Sequence, residues 1–301
     1  MKRIILSLLA FAVLAGCSEN GRENAPSGDE VPITLRAGLP AAAIAPDSRA
    51  VVETGTAFTA GVAGWETSGV PAYDRAAEWY TTADITASTT AQPVSLAASQ
   101  VYDANDRIKT HMKAWYPAGQ PAEGKVTFAN PDGTVDVLLA EPISGSKNDN
   151  TGKVLRFAHK TTQLKFSVVA DASLAGGTTI EKISVLDAEL PAGFDLAADA
   201  VTYAAAATLD VPGIPADKVI STTAAVVGEP VMIRPIAGNA VALRIETSTA
   251  TFDRVTASID DDTDFVEGKA YTITLTFKQQ SLNLTATVAE WTTGSGSAEV
   301  E

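Results

Sequence analysis

The sequence is poor in the residues that most catalytic and metal centres use. Its 301 residues include one cysteine and two histidines, His111 and His159. A lone cysteine excludes an intramolecular disulfide, and two histidines leave no His-rich zinc site and no Cys–His nucleophile pair. No serine stands in a nucleophile-elbow glycine pattern, and no carboxylate pair stands out among the 36 acidic residues. We therefore predict that the chain is not an enzyme and has no cofactor or metal.

Positive charge and aromatic side chains are also scarce. Lys and Arg number 22 against 36 Asp and Glu, and the formal net charge of −14 would repel the phosphates of nucleic acid. Aromatic residues make up 6% of the chain, whereas Ala, Thr and Val are abundant. This composition favours thin β-cores lined by small and β-branched side chains. No window predicts an amphipathic helix, and the length suits two β-domains.

The clearest positive pattern lies near the C-terminus, where two segments alternate between apolar and polar residues. One face of the first carries Tyr271, Ile273, Leu275 and Phe277, and one face of the second carries Leu282, Leu284, Ala286 and Val288. A period of two is typical of half-buried β-strands. The pattern predicts a strand pair at the end of the chain. Its last strand would pair either within its own molecule or with the open sheet edge of a neighbour.

The N-terminus is typical of an exported protein. Met1-Lys2-Arg3 is positive, residues 4–14 are apolar, and Leu14-Ala15-Gly16-Cys17 follows. The apolar run is too short to span a bilayer as a helix, and the whole order resembles the signal and lipobox of bacterial lipoproteins. That resemblance implies that Cys17 is lipidated and becomes the first residue after cleavage. An ordinary signal peptide with an incidental cysteine is the alternative.

Short strands separated by turns continue through the rest of the chain and predict an all-β protein with two sandwiches in series. We expect a signal peptide at 1–16, a flexible tether at 17–30, an N-terminal sandwich at 31–150 and a C-terminal sandwich at 151–301. The boundary falls in the Gly-, Ser- and Asn-rich residues 141–152. Residues 31–35 alternate and contain Pro32, which predicts an edge strand at the start of the first sandwich.

A single arginine, Arg49, follows this first strand in a segment of small and polar residues and precedes Ala50. Such a residue is an easy target for a trypsin-like protease, although a solvated loop arginine is the simpler reading. Arg36 is the second candidate, but it lies at the end of the predicted strand, where a folded backbone would resist cleavage.

Four aromatic residues and the two histidines complete the set of candidates. Trp65, Tyr73, Trp79 and Tyr80 would suit a sugar-binding platform, but packing in the core or in loops is the favoured interpretation. His111 alternates onto the same strand face as Lys109 and Lys113, so we predict that it is exposed. We expect a structural role for His159 near the start of the second domain.

Several motifs together resemble the fimbrillin family of bacterial surface pilins. Residues 155–166 are similar to its mid-chain signature Phe-x-His-x-x-Ala-x-Leu/Ile-x-Phe, with Thr162 in place of alanine. Gly268-Lys269-Ala270-Tyr271 and the later Trp291 resemble its closing strand. Ser48-Arg49-Ala50 resembles its Thr-Arg-Ala after the first strand, with Ser48 in place of threonine. The motifs occur in the family's order and span most of the chain.

The resemblance implies a pilin exported as a palmitate-bearing lipoprotein, anchored in the outer membrane and built from two transthyretin-like Greek-key β-sandwich domains in tandem. It further implies that a trypsin-like protease cuts between Arg49 and Ala50 and removes the first strand. The groove left behind would accept the C-terminal strand of another subunit, carrying Leu282, Leu284, Ala286 and Val288.

The expected partners are therefore other pilin subunits in a homo- or heteropolymer, the processing protease, the outer membrane, and an adhesion ligand on a host or bacterial surface. The expected location is the cell surface, in a fimbrium. The alternative from another class is a surface lipoprotein that never polymerises and binds glycan or protein ligands through Trp65, Trp79 and Tyr80.

Overall fold

The computed structural model describes residues 30–39, 52–259, 264–279 and 282–290, and the regular structure in these ranges is β-strand throughout. The strands of the first part are β1 (Leu35–Gly38), β2 (Ala57–Thr67), β3 (Trp79–Thr86), β4 (Gln92–Leu96), β5 (Lys109–Tyr116), β6 (Lys125–Thr127), β7 (Leu138–Ala140), β8 (Ile143–Gly145) and β9 (Val154–His159). Those of the second part are β10 (Thr162–Ala170), β11 (Ile180–Ala188), β12 (Pro191–Asp195), β13 (Ala200–Tyr203), β14 (Ala207–Asp210), β15 (Ala225–Ile233), β16 (Ala240–Thr247), β17 (Thr251–Ser258), β18 (Lys269–Phe277) and β19 (Leu282–Glu290). None of the described residues forms a helix long and apolar enough to cross a membrane.

The first part closes into a barrel. Its strand order is β2-β3-β4-β1-β9-β7-β5, β5 pairs back onto β2, and β8 extends the sheet from β5. Closure leaves few open edges. The interior is lined by one side-chain row of each strand, and it contains many alanines together with Phe58 and Phe157, whose rings meet edge to face at 5.5 Å.

The second part is a sandwich of two four-stranded sheets. One sheet has the order β15-β10-β18-β19 and the other β14-β11-β16-β17. Their inner faces share one core, to which Phe166 of β10 and Ile273 of β18 contribute from one side, and Ile183 of β11 and Leu243 of β16 from the other. The sequence prediction of a terminal strand pair is confirmed, because β18 and β19 pair antiparallel from Lys269↔Glu290 to Phe277↔Leu282.

A small third sheet connects the two parts. It has the order β13-β12-β6, so a strand from the first part pairs with a hairpin from the second. Lys113 of β5 reinforces this connection: its ammonium donates hydrogen bonds to the carbonyl of Leu196 and, over 2.8 Å, to Asp199. It also lies 4.2 Å from the centre of the Tyr73 ring. A buried charge needs such partners.

The fold corrects some of the interpretations that were based on the sequence. The strand face of His111 is not solvated as a whole, since Lys113 is only 1% exposed and His111 itself is half-buried. Residues 141–152 contain β8, which pairs with β5, and β9 returns to the barrel after residue 150. The division at 150/151 remains a prediction, but hydrogen bonds of the first sheet extend across it.

The aromatic residues pack within the fold, as the favoured interpretation predicted, and the alternative of one sugar-binding platform is not supported. Trp65 is 3% exposed, donates its indole N–H to the carbonyl of Arg75 and meets the Tyr73 ring edge to face. Trp79 and Tyr80 are neighbours on β3, so their side chains leave opposite faces of the sheet. Trp79 packs against the barrel core, whereas Tyr80 stacks on Trp115 in a separate cluster.

Candidate functional site

The candidate site predicted from the sequence depends first on where β1 lies in the barrel. β1 lies between β4, with which it pairs antiparallel, and β9, with which it pairs parallel. The predicted edge strand is therefore an internal strand, and its regular part begins at Leu35, where the prediction ended it. A period-two pattern identifies the buried face of a strand but not the number of its neighbours. We call the position between β4 and β9 the β1 groove.

Side chains of the β1 segment alternate strictly between core and solvent. Ile33, Leu35, Ala37 and Leu39 are buried in the barrel core, while Thr34 and Arg36 face outward. The Arg36 guanidinium lies along the outer surface and donates from Nε to the carbonyl of Ala91 over 3.2 Å.

The backbone of this segment is bonded on both flanks. Arg36 donates its N–H to the carbonyl of Lys153 over 2.9 Å, and Leu39 donates to Ser88 over 2.9 Å. Before β1, Ile33 donates to Gln100 and Tyr102 donates to Val31. Because its backbone is held on both sides, we expect the peptide bond after Arg36 to resist a protease although the side chain is exposed.

The chain re-enters the described structure at Val52, which is also anchored in the barrel. Val52 is buried in the barrel core and donates its N–H to Asp136 Oδ2 over 3.0 Å. Asp136, whose side chain is fully buried, also accepts the N–H of Val137 at Oδ1 and lies 2.9 Å from Nδ1 of His159. A buried carboxylate is tolerated only when it is satisfied in this way.

Ionisable neighbours of this anchor show the effect of burial. Burial raises the pKa of the Tyr116 phenol, and the nearby Asp136 carboxylate raises it further. Burial also lowers the pKa of Lys165 on β10, an effect that Glu53, next to Val52, partly opposes. The segment after Val52 is thus electrostatically linked to the first strand of the sandwich as well as to the barrel.

The predicted donor strand is β19, at the edge of the sandwich. It pairs with β18 on one side and is hydrogen-bonded in a sheet to no other described strand, although β17 of the facing sheet lies close to it. Leu282 and Leu284 are half-buried against the sandwich core. Ala286 and Val288 lie on the same strand by backbone position, and their side chains lie outside what the structure describes. β1 and β19 therefore belong to different sheets and are not paired with each other in the described part of the chain.

Three further predicted site residues, Cys17, Arg49 and Ala50, lie outside the described residues. The structure nevertheless locates the two ends of the segment that holds Arg49 and Ala50: Leu39 and Val52 are both buried in the barrel core. Within the described ranges, no group of three or more His, Cys, Asp or Glu side chains is arranged to hold a metal ion.

Sequence reasoning missed the Asp136–His159 link and the buried Lys113. Val137 and Leu139 alternate in the sequence, and Asp136 sits beside them as an ordinary polar residue. The histidine of the fimbrillin-like signature was the one available signal. Its partner is 23 positions away in sequence, and only the pairing of β7 with β9 brings the two together.

The sequence of the chain assigns it to a protein family. Residues 48–291 match the model of the fimbrillin-like family, and the protein belongs to that family. Residues 30–39, which include β1, precede the matched span.

Individual relatives agree with the assignment. The chain is 24% identical to a candidate fimbrium subunit, Fim1C, of Bacteroides uniformis, over 98% of this chain and 97% of that protein. Among solved structures it resembles a candidate cell adhesion protein of Bacteroides uniformis, with a TM-score of 0.58 and 17% identity over 87% of this chain and 99% of the other. A candidate cell adhesion protein of Bacteroides ovatus gives a TM-score of 0.53 and 14% identity over 87% and 98% of the two chains. The structural matches establish the shared fold.

Proposed function

We propose that the protein is a structural subunit of a bacterial surface fimbria that supports adhesion and assembles by proteolysis-triggered strand exchange. In this proposal Cys17 carries the lipid of an outer-membrane precursor, and a trypsin-like protease cuts between Arg49 and Ala50. The C-terminal strand of another subunit then replaces β1. Family membership and the fimbrial and adhesion descriptions of relatives support the role.

The observation that carries the proposal is the position of β1 between two strands. Removing an edge strand would only shorten a sheet, but removing β1 opens the barrel and leaves two unpaired backbone edges, on β4 and β9. It also uncovers the core that Leu35 and Ala37 cover. Unpaired edges over an apolar groove are the usual acceptor for an added β-strand.

The anchor at Val52 explains why a cut at Arg49 would separate β1 without unfolding the rest. Arg49 lies three positions before Val52, whose N–H is held by the buried Asp136 carboxylate. The new N-terminus would therefore stay attached to the barrel. β1 would lose its covalent tether, and with it an effective concentration on the order of millimolar. A strand from another molecule can then compete for the groove.

The test follows the oligomeric state of the full chain carrying Cys17→Ala, which removes the lipid. Limited trypsin treatment is expected to give a fragment that begins at Ala50 and forms SDS-resistant oligomers in unheated samples. Arg49→Gln is expected to stay monomeric, whereas Arg36→Gln, the matched control, is expected to behave as the parent. The parent remaining monomeric at high concentration after cleavage at Arg49 would overturn the function. Oligomers of Arg49→Gln that begin at Ala37 would move the processing site to Arg36.

Finer features follow from the same proposal. We propose that both parts of the fold derive from a transthyretin-like Greek-key arrangement, which is closed into a barrel in the first part and forms a two-sheet sandwich in the second. We also propose that the mature protein resides in the fimbrium at the cell surface. We also propose that it has no catalytic activity. His111→Ala and His159→Ala are then expected to leave adhesion unchanged wherever the variant still folds.

A further inference from the structure

A cavity of about 450 Å³ lies where the barrel meets the third sheet. Tyr116 at the end of β5 and Val137 before β7 line it from the barrel, and Thr127 of β6 and Pro191 of β12 line it from the third sheet. This volume falls within the range of about 300–1,000 Å³ that is typical of small-molecule sites. The lining contains no residue of β1 or β19, so the cavity is separate from the strands of the proposed exchange.

Two aromatic rings form apolar walls of the cavity. Tyr116 and Phe128 both line it and are half-buried. The Tyr116 ring meets Phe58 edge to face, the Phe128 ring meets Phe194 in the same way, and the ring centres lie 5.3 Å apart in each pair. Because these contacts hold the rings, the walls are formed before a ligand arrives. Such rings offer a flat apolar surface to the C–H groups of a ligand.

Polar groups stand at the mouth of the cavity, where Asp132 and Asn130 are exposed. Oδ1 of Asp132 accepts the N–H of Thr134 over 2.9 Å and its hydroxyl over 2.7 Å. Oδ2 has no hydrogen-bond partner among the described residues and is available to a ligand. The same holds for the Asn130 amide and the Thr127 hydroxyl, which offer donors as well as acceptors.

The loop that carries these groups is fixed to the second part of the chain. Phe128 donates its N–H to the carbonyl of Ala192 over 2.8 Å, and Met232 donates its N–H to the carbonyl of Gly133 over 2.6 Å. A loop held at both of these points needs little further ordering when it binds a ligand, and the ordering cost of binding is reduced accordingly.

We propose that this cavity binds a neutral saccharide, with one hexose ring of a surface glycan in the pocket. Hydroxyl groups of the sugar donate to Oδ2 of Asp132 and exchange hydrogen bonds with the Asn130 amide. Its C–H groups pack against the rings of Tyr116 and Phe128. This inference rests on the adhesive role in the proposed function and names the ligand class for that role.

The charge of the lining argues against an acidic ligand. Asp132 is the acidic residue of the lining, and none of the described residues that line the cavity is Lys, Arg or His. A carboxylate or sulfate on the sugar would therefore lie near a like charge without a compensating cation, which is costly. A purely apolar ligand would cover the polar groups at the mouth without pairing them, which is also costly. A neutral ring with several hydroxyls suits both halves of the cavity.

The expected affinity of one such site is low. A ligand of the size of a hexoside gains little free energy in total, so we expect a Kd on the order of 1 mM. In a fimbria every subunit would carry one copy of the cavity, and a glycan-covered surface would engage many copies at once. Multivalency of this kind raises the overall affinity without any new contact.

NMR titration of the uncut Cys17→Ala chain, labelled at the valine methyl groups, tests the site. The probes are the methyl glycosides of glucose, galactose and mannose. At least one is expected to bind with a Kd on the order of 1 mM and to shift the signals of Val135 and Val137. The uronic acid that corresponds to the tightest-binding hexose is expected to bind at least about tenfold more weakly, because its carboxylate meets Asp132. Indole, an apolar probe without hydroxyls, is expected to bind more weakly than that hexoside.

Two substitutions test the two halves of the cavity. Val135 lines it and is 39% exposed, so Val135→Trp fills space without disturbing a core and is expected to weaken binding at least about tenfold. Asp132→Ser keeps an oxygen that can accept the N–H of Thr134 but lacks Oδ2, and it is expected to weaken binding about tenfold. Asp217→Ser, at an exposed carboxylate outside the lining, is the matched control and should stay within about twofold of the parent. Thermal unfolding shows that each variant is folded.

The outcomes separate this site from the proposed assembly. The saccharide site is overturned if none of the three hexosides binds, if indole or the uronic acid binds more tightly, or if both folded lining variants keep the affinity of the parent. Oligomers that form after cleavage in the same variants then still support strand exchange. A chain that binds a hexoside but stays monomeric after cleavage overturns the assembly and leaves the site in place.

Discussion

β1 and β19 carry similar side chains, yet the fold holds them in different ways. β1 is paired on both sides inside a barrel, and its alternate side chains are buried. β19 is paired on one side at the edge of a sandwich, and Leu282 and Leu284 are only half-buried. The comparison shows that an apolar alternation determines which face of a strand is covered, while the number of neighbours determines how much is lost when the strand leaves.

The chain attached to each strand adds to the difference. The segment that follows β1 returns to the barrel core at Val52 and is fixed there by Asp136. β19 leads into the last residues of the sequence, which are Gly-, Ser- and Glu-rich. β1 is thus covalently joined to a second fixed point in the barrel, at Val52.

The largest expected effect concerns the anchor on the β1 side. Asp136→Ala leaves His159 and the N–H groups of Val52 and Val137 without their buried acceptor, so we expect unfolding to become easier by about 3–5 kcal/mol. Urea denaturation of the uncut chain measures this. Asp217→Ala, an exposed carboxylate, is the control and should change stability by less than about 0.5 kcal/mol. A similar small loss for Asp136→Ala would show that Val52 is not held by the carboxylate.

The second prediction compares the two strands by the same substitution. Leu35→Ala removes a buried side chain from the barrel and is expected to cost about 2–4 kcal/mol. Leu284→Ala removes a half-buried side chain at a sheet edge and is expected to cost about 1 kcal/mol. Unfolding of the uncut variants gives both values. Equal losses would contradict the difference in burial on which the comparison depends.

The smallest expected effect is a pH dependence of stability that arises from His111 in the barrel. Burial, and secondarily Lys109, lowers the pKa of His111, so the folded state favours the neutral imidazole. The unfolded chain takes up a proton near pH ~6.5, and stability is therefore lost as the pH falls below that value. His111→Gln should remove the contribution of His111 to this loss of stability. The free energy of unfolding of the parent is expected to fall relative to that of the variant between about pH 7 and pH 5. A constant difference between the two proteins would contradict the prediction.

Much of the fold was readable from side-chain alternation. The faces of β18 and the pairing of β18 with β19 follow from a period of two and from a short polar break between the strands. The alternation of Ile33 and Leu35 was also readable, although the prediction ended the strand at Leu35, where β1 begins. A local pattern is enough to show which face of a strand is buried, because that pattern depends only on residues that are close in sequence.

What the sequence did not predict depends on contacts between distant segments. The pairing of β1 with β9 joins Arg36 to Val154, and no local signal specifies that choice. From the sequence alone, Lys113 is expected to be a solvated lysine. In the structure its ammonium is bonded to Leu196 and Asp199, which belong to the second part of the chain. Charged residues are usually exposed, so a burial of this kind follows only from the tertiary fold.

The third sheet bears on how the molecule carries tension. A pull that separates barrel from sandwich must break the pairing of β6 with β12 and withdraw the Lys113 ammonium from Leu196 and Asp199. Both contacts act together with the chain itself, which passes from the barrel to the sandwich at Lys160 and Thr161. Extracting a buried cation from its partners is costly. We therefore expect the two parts of the fold to resist separation together, through these contacts as well as through the chain itself.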